Sequence, residues 1–242
     1  MIKRPVLPLM LLTLASIFLF FLLNLLLGSV HIPLRSVWNI LWGNTDESVI
    51  WQNIIWKSRV PQALTALVAG AGLSVSGLQV KGNVTLLIIG VMIGYVASAV
   101  IGVLKYFSVE EDIRAYVIWG LGSFARVSGD QMVLFVCIMA VLLPLSFLLI
   151  KTMNLLLLGD GYARNLGLNI KRARLLVISC SGVLVAIVTA YCGPIMFIGL
   201  AVPHLCRAIF HSSDHRVLMP ATLLVGASLA LVCNLIARMP GF

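Results

Sequence analysis

The chain of 242 residues is 61% hydrophobic and only 10% charged, where a soluble domain carries about 25% charged residues. That composition excludes an ordinary water-soluble globule. The formal charge of +9 does not point to nucleic acid, because the basic residues gather between apolar runs. Residues 6–30, 60–80, 83–104, 132–150, 175–203 and 217–237 hold no charged side chain. Each run is near or above the ~20 residues that cross ~30 Å of hydrocarbon. A β-barrel would alternate apolar and polar positions, and no such alternation is visible. The expected fold class is all-α, a polytopic transmembrane helical bundle forming a single membrane domain over residues 1–242.

The first run follows Lys3 and Arg4 and has Asn24 as its only strongly polar side chain. It is too long for a signal-peptide core and no small-residue cleavage site follows, so it reads as a retained first helix. Residues 31–58 form an outer loop. Trp38, Trp42, Trp51 and Trp56 are spaced for one face of short helices lying at the membrane interface, the depth tryptophan prefers. The next crossing starts at Arg59-Val60-Pro61, with proline in a first turn, where its missing N–H costs nothing. Ala66, Gly70 and Ser74 then recur every four residues, which lets helix backbones approach closely in lipid and predicts an interior helix.

Loop 105–131 carries Glu110, Glu111, Asp112 and Asp130, half of the 8 acidic residues, and is placed outside. Loop 151–174 holds Lys151, Arg164, Lys171, Arg172 and Arg174 against Asp160 alone, and the positive-inside rule places it in the cytoplasm together with the N-terminus. Within it, Gly159, Gly161 and Gly167 are breaks, and Asp160 and Arg164 stand four apart on what would be one short helix. A short helix with an apolar edge on that side has the character of a docking surface.

The stretch "GPIMFIGLAVPHLCR", residues 193–207, is apolar yet carries two prolines, a histidine and an arginine. It reads as a helix break at Gly193-Pro194, with Pro194 in the first turn of a short return helix that Pro203 kinks, and with His204 in a structural role near its cytoplasmic end. "LVAGAGLSVSGL" at 67–78 echoes "LLVGASLALVCNL" at 223–235. If 194–210 crosses once more, the two copies run in opposite directions, as inverted repeats in transporters do. Cys137, Cys180, Cys192, Cys206 and Cys233 have no CxxC spacing and read as buried structural thiols.

Several chemistries have no carrier. The chain has no G-x-x-x-x-G-K-[ST], H-E-x-x-H or G-x-S-x-G, so neither ATP binding by a P-loop nor hydrolysis by those arrangements is expected. His211 and His215 stand four apart with no third ligand near. No Asp, Glu, Lys or Arg lies in the middle of an apolar run, where a proton-coupled transporter usually keeps one. What remains is a membrane scaffold whose energy comes from elsewhere, not an enzyme.

"RVPQALTALVAGAGLSVSGLQ", "MNLLLLGDGYARNLGLNI", "GPIMFIGLAVPHLCR", "DHRVLMPATLLVGASLAL" and "NLIAR" stand in this order. Together they resemble the FecCD-type permeases of bacterial ABC importers, from about residue 59 to the end. The resemblance implies a type II importer bundle in the bacterial inner membrane. It implies transport of a metal chelate, an iron-siderophore first, with haem or vitamin B12 next, and no resident cofactor or metal. The implied partners are cytoplasmic ABC ATPase subunits, a periplasmic substrate-binding protein and a second permease subunit, forming a homodimer in the lipid membrane.

By the same resemblance, Gly159, Asp160, Ala163, Arg164, Leu166 and Gly167 belong to the loop that sits on the ATPase. Arg59 and Arg238 match the arginines that meet glutamates of the binding protein. Asn83 and Val84 match part of a cytoplasmic gate. This chain departs from the family after Gln79, where the family continues with an Asn-Pro loop and further helices while Val80-Lys81-Gly82 leads straight on. A final helix is expected after Phe242. A gradient-driven secondary transporter is the alternative, and a non-transporting structural membrane protein is the third reading; the latter leaves the coupling-loop match without a purpose.

Overall fold

The structure is a computed structural model that describes residues 6–28, 30, 32–43, 48–79, 84–127, 129–195 and 197–238, excepting the side chains of 84–87, 89 and 130. The described residues contain helices and no strand. Four helical stretches, Val6–Leu26, Val49–Gln79, Ile170–Cys192 and His215–Ala237, are long and apolar enough to cross a membrane, and a bent pair makes a fifth. Shorter apolar stretches are Gly90–Tyr106 and Phe197–Phe210.

Helix α1 (Val6–Leu26) runs to an end where α2 (Leu34–Leu41) and α3 (Val49–Ile54) form a small collar. Leu25, Ile32, Val37, Ile40 and Ile55 are buried together there. Trp38 and Trp42 sit outside the collar, exposed, with ring centroids 6.1 Å apart. Trp51 is partly buried against the collar, so the four tryptophans do not share one face.

The collar runs without a break into α4 (Val60–Gln79) through a π-turn at Ile55–Arg59. Pro61 therefore lies inside a continuous helix and not at its start. The reason is local: a proline there removes one backbone donor and crowds the carbonyl four residues back, and a widened turn relieves both. The N–H of Val60 bonds five residues back, to the Ile55 carbonyl.

Helix α4 is the axis of the bundle, with 14 of its 20 residues buried. Its small residues set three crossings. A Cβ on Gly70 would stand 2.3 Å from the Gly226 carbonyl oxygen, and one on Gly77 would stand 1.7 Å from the Gly199 carbonyl oxygen. A Cβ on Gly72 would meet the Met139 methyl at 2.3 Å. Of the expected four-residue stripe, Gly70 and Ser74 form the contact with Gly226, while Gly72 and Gly77 make their crossings outside it. Gly226 belongs to α12 (His215–Ala237), which runs antiparallel to α4, so the two echoing segments pack against each other in opposite directions.

Asn24 of α1 is buried in this interior. Its amide donates to the Phe20 carbonyl and to the Leu231 carbonyl of α12, both at 2.9 Å, and its oxygen accepts from Asn234 at 2.7 Å. A polar side chain in an apolar helix survives because every one of these groups has a partner.

Helix α5 (Val84–Tyr106) presents a largely exposed surface. The loop that follows holds α6 (Glu110–Gly120) and a 3-10 turn at Phe124–Arg126. The three acids at 110–112 fill the first turn of α6, where the helix dipole favours negative charge. Helix α7 (Gly129–Phe147) meets α8 (Ile150–Leu157) at a 42° bend. Then come α9 (Asp160–Asn165), α10 (Ile170–Cys192) and α11 (Phe197–Phe210).

Helix α10 ends at Gly193, whose φ is 81°. Pro194 lies in the connector, not in the first turn of α11: residues 193–195 are not helical, and the helix is described from Phe197. Pro203 is inside α11 as expected. His204 is exposed on the same face as Phe197 and Leu200, where its ring can reach water. Burial of the cysteines holds for Cys192 and Cys206. Cys180 is half-buried, and Cys137 and Cys233 are exposed on the outer faces of their helices.

Candidate functional site

Two clusters at opposite ends of the bundle collect the residues singled out from sequence. The first is the α8–α9 unit, where the residues Gly159 to Gly167 are brought together. Gly159 has φ 91° and Gly167 φ 84°, a conformation that glycine adopts without strain. Between them α9 is one short turn of helix closed by a Schellman motif: the Leu168 N–H bonds the Ala163 carbonyl at 3.0 Å and the Gly167 N–H bonds the Arg164 carbonyl at 2.9 Å. Ala163 is fully buried and seats α9 on the bundle.

The opposite face of α9 is open. Leu158, Tyr162, Arg164 and Leu166 are exposed, Leu166 to 62%. Asp160 does not pair with Arg164. Both its oxygens accept from Arg174 of α10 at 2.9 Å, since a guanidinium one helix away can approach both oxygens at once. Arg164 is left without an ion pair among the described residues. A cation amid exposed apolar side chains is a surface that another protein can cover.

A second attachment at this end was not legible in the sequence. The Asn154 amide of α8 donates to Asp214 Oδ1 at 2.6 Å. Its oxygen accepts from the His215 N–H at 2.9 Å and lies 2.8 Å from His215 Nδ1. Asp214 also caps α12 by accepting from the Arg216 N–H at 2.9 Å. That bond first, and the Asn154 amide second, hold the exposed Asp214 carboxyl below its ordinary pKa. Nothing in the sequence around Asp214 and His215 names Asn154, 60 residues earlier, as their partner.

At the other end, Arg59 and Arg238 converge on Gly28. A Cβ on Gly28 would lie 3.2 Å from an Arg59 terminal nitrogen and 3.3 Å from one of Arg238. Arg59 is only 1% exposed. It donates to the carbonyls of Leu25 at 2.6 Å and Leu26 at 2.8 Å, and to that of Val30. Its guanidinium thus caps the end of α1. Arg238 is half-buried and makes one long contact, 3.5 Å, to the Asn24 carbonyl. Burial, and next the Arg59 charge, lower its pKa. Of the expected pair, Arg238 is the one with donors to spare among the described residues.

Asn83 lies outside the described residues, and Val84 opens α5. A recess of about 280 Å³ at the same end as Arg238 is lined by Arg126, Gln131, Ala190 and Tyr191. No group of three or more metal-ligating side chains occurs among the described residues.

The sequence model of the FecCD transport family matches residues 15–81 and 79–241. The vitamin B12 import system permease protein BtuC of Klebsiella pneumoniae is 39% identical over 154 residues, covering 64% of this chain and 46% of that protein. The hemin transport system permease protein HmuU of Yersinia pestis is 35% identical over 153 residues, covering 63% and 46%. The chain thus spans about half the length of these curated relatives. The molybdate import system permease protein MolB of Haemophilus influenzae is 28% identical over 285 aligned positions, covering 89% of this chain and 83% of that one. Among solved structures, a chain determined in an inward-facing conformation as a metal-chelate type ABC transporter superposes with a TM-score of 0.79 at 25% identity, over 96% of this chain and 90% of that one.

Proposed function

Because this chain belongs to the FecCD transport family, we propose that it is the membrane-spanning permease subunit of an ATP-driven importer. The observation that carries the reading is the α8–α9 unit: a glycine-bounded turn, seated by Ala163, that offers Arg164, Tyr162 and Leu166 outward between two membrane helices. Such a surface fits a separate ATPase, which the chain needs because it holds no P-loop of its own. The α8–α9 end and the N-terminus face the cytoplasm of a bacterium, across its inner membrane. Residues 1–242 act as one permease domain, paired with a second copy.

The opposite end receives a substrate-binding protein. Arg238, with free donors, meets an acidic side chain there, while Arg59 holds α1 in place beside it. Residues Asn83 and Val84 remain gate candidates. The substrate class is a metal chelate, an iron-siderophore first, with haem or cobalamin next. The similarity to a molybdate permease adds an oxometalate anion as a further candidate.

Two outcomes follow. Arg164→Glu reverses the charge on the docking face, and the ATPase recovered with the purified permease falls by about tenfold or more. Unchanged recovery would remove Arg164 from that contact. Arg238→Glu slows docking of the binding protein more at low salt than at high salt, because screening shortens charge attraction to about 10 Å at 0.1 M. A defect independent of salt would point to packing instead.

The deciding experiment measures ATP turnover and uptake by this chain in lipid with its ATPase. Binding proteins loaded with ferric siderophore, haem, cobalamin or molybdate are supplied in turn. Stimulation by one of them establishes class and substrate together. Uptake driven by an ion gradient with no ATPase present would establish a secondary transporter.

A further inference from the structure

Helix α8 is set off from its neighbours by a break in the helical backbone at each end. A 42° bend separates it from α7, and Gly159, with its positive φ, separates it from α9. Its orientation is therefore set by side chains. Met153 is one anchor, buried in the same cluster as Leu218 and Met219 of α12. Asn154 is the other. Its amide nitrogen holds the cap residue of α12, and its oxygen takes the backbone N–H of the first residue of α12. Helix α12 is thus capped partly by its own Asp214 and partly by a side chain of α8.

The two attachments of the α8–α9 unit differ in kind. The Asp160–Arg174 pair is about half-exposed on both sides and worth little against solvent. In the Asn154 cluster the bond to Asp214 is exposed as well, while the bonds to His215, which is 4% exposed, are partly buried and add a grip on the backbone of α12. Helix α12 is 23 residues long, roughly 35 Å at 1.5 Å per residue. It crosses α4 at Gly70 and Gly226, meets α1 through Asn24, and ends at Arg238. A displacement entering at the clasp has a continuous, closely packed helix to travel along, one that holds Pro220 within it.

We propose that Asn154, Asp214 and His215 form a clasp that makes α8 and α12 move as one body, so that displacement of the α8–α9 unit reaches the Arg238 end. These are positioning residues for transport, and the inference rests on the reading of α8–α9 as the ATPase-docking unit. The clasp is not part of the docking face: Asn154 is half-buried and faces α12.

The test is a charge exchange. Asn154→Asp sets a second carboxylate against Asp214, at a separation that is now 2.6 Å. In the reconstituted complex, with cobalamin, haem and a ferric siderophore offered in turn on their binding proteins, uptake per ATP hydrolysed falls at least about fivefold, the lower end of site-to-site coupling. ATPase co-purification and basal turnover stay unchanged. Adding Asp214→Asn restores a donor and an acceptor with reversed polarity, keeps a good N-cap, and returns coupling to within about twofold of wild type. If Asn154→Asp does not accumulate, Asn154→Ser withdraws the amide from both Asp214 and His215 without adding charge and enters the same assay with the same expected loss. Full coupling in the single variant, or a double variant as impaired as Asn154→Asp, overturns the clasp while the docking reading stands. Failure of any ATPase to co-purify with the wild-type chain overturns the docking reading, and the clasp's role with it.

Discussion

Gly77→Ala is expected to lower the yield of folded protein from membranes more than any other single-methyl addition, with Gly70→Ala close behind. At both positions the new carbon meets a backbone carbonyl, at 1.7 Å from Gly199 and 2.3 Å from Gly226. A side chain can rotate away from such a contact, but a carbonyl in a helix cannot. The helices must separate, and α4 then loses contact with α11 or α12 along its length. Overpacking in a core costs about 1–3 kcal/mol, occasionally more, and backbone-on-backbone contact belongs at the upper end. Gly182→Ala on α10 is the control: nothing lies within 4 Å of its added carbon, and a helical alanine is favoured over glycine by about 1 kcal/mol. Thermal unfolding in detergent ranks the three. A Gly77→Ala protein as stable as Gly182→Ala would mean that the α4–α11 contact is not as tight as described.

Arg59→Met is the second large effect. The methionine keeps the apolar stem but leaves the carbonyls of Leu25, Leu26 and Val30 without the guanidinium that now caps them. Each unsatisfied buried acceptor costs about 1–3 kcal/mol, and water entering the gap recovers part of that. The expected net loss is about 2–4 kcal/mol. Arg59→Lys recovers some of it, because an ammonium has three donors but not the planar fork. The measurement separates two roles. If Arg59 works as an internal cap, Arg59→Met loses thermal stability with no binding protein present. If its main work is docking, stability is kept and only binding-protein association weakens.

The helical class and the interior position of α4 were legible because both are periodic. Charge-free runs mark the helices, and Ala66, Gly70 and Ser74 mark a contact face by their spacing alone. Gly159 and Gly167 were legible as breaks for a similar local reason, and both have positive φ. Partners distant in sequence were not legible. Asn24 stood out as the polar residue of the first run, but Asn234 is 210 positions away. Asp160 has a candidate partner four residues on, yet it pairs with Arg174, which only the return of α10 brings near. Arg59 was visible as a cation at a helix end. Whether such a side chain turns out toward a partner or back onto carbonyls depends on where α1 stops, and spacing carries no record of that.

The π-turn at Ile55–Arg59 has a consequence for chain length. Removing one residue from it would let an ordinary helix run on from α3, but would turn everything upstream by about 100° around the axis. Helix α4 would keep its place. Ile55 and Ile54 would swing off the collar formed with Leu25, Val37 and Ile40, and the collar would lose its footing on α1. The number of residues in this turn is thus as constrained as their identity. The five residues before Val60 keep time for the helices on either side.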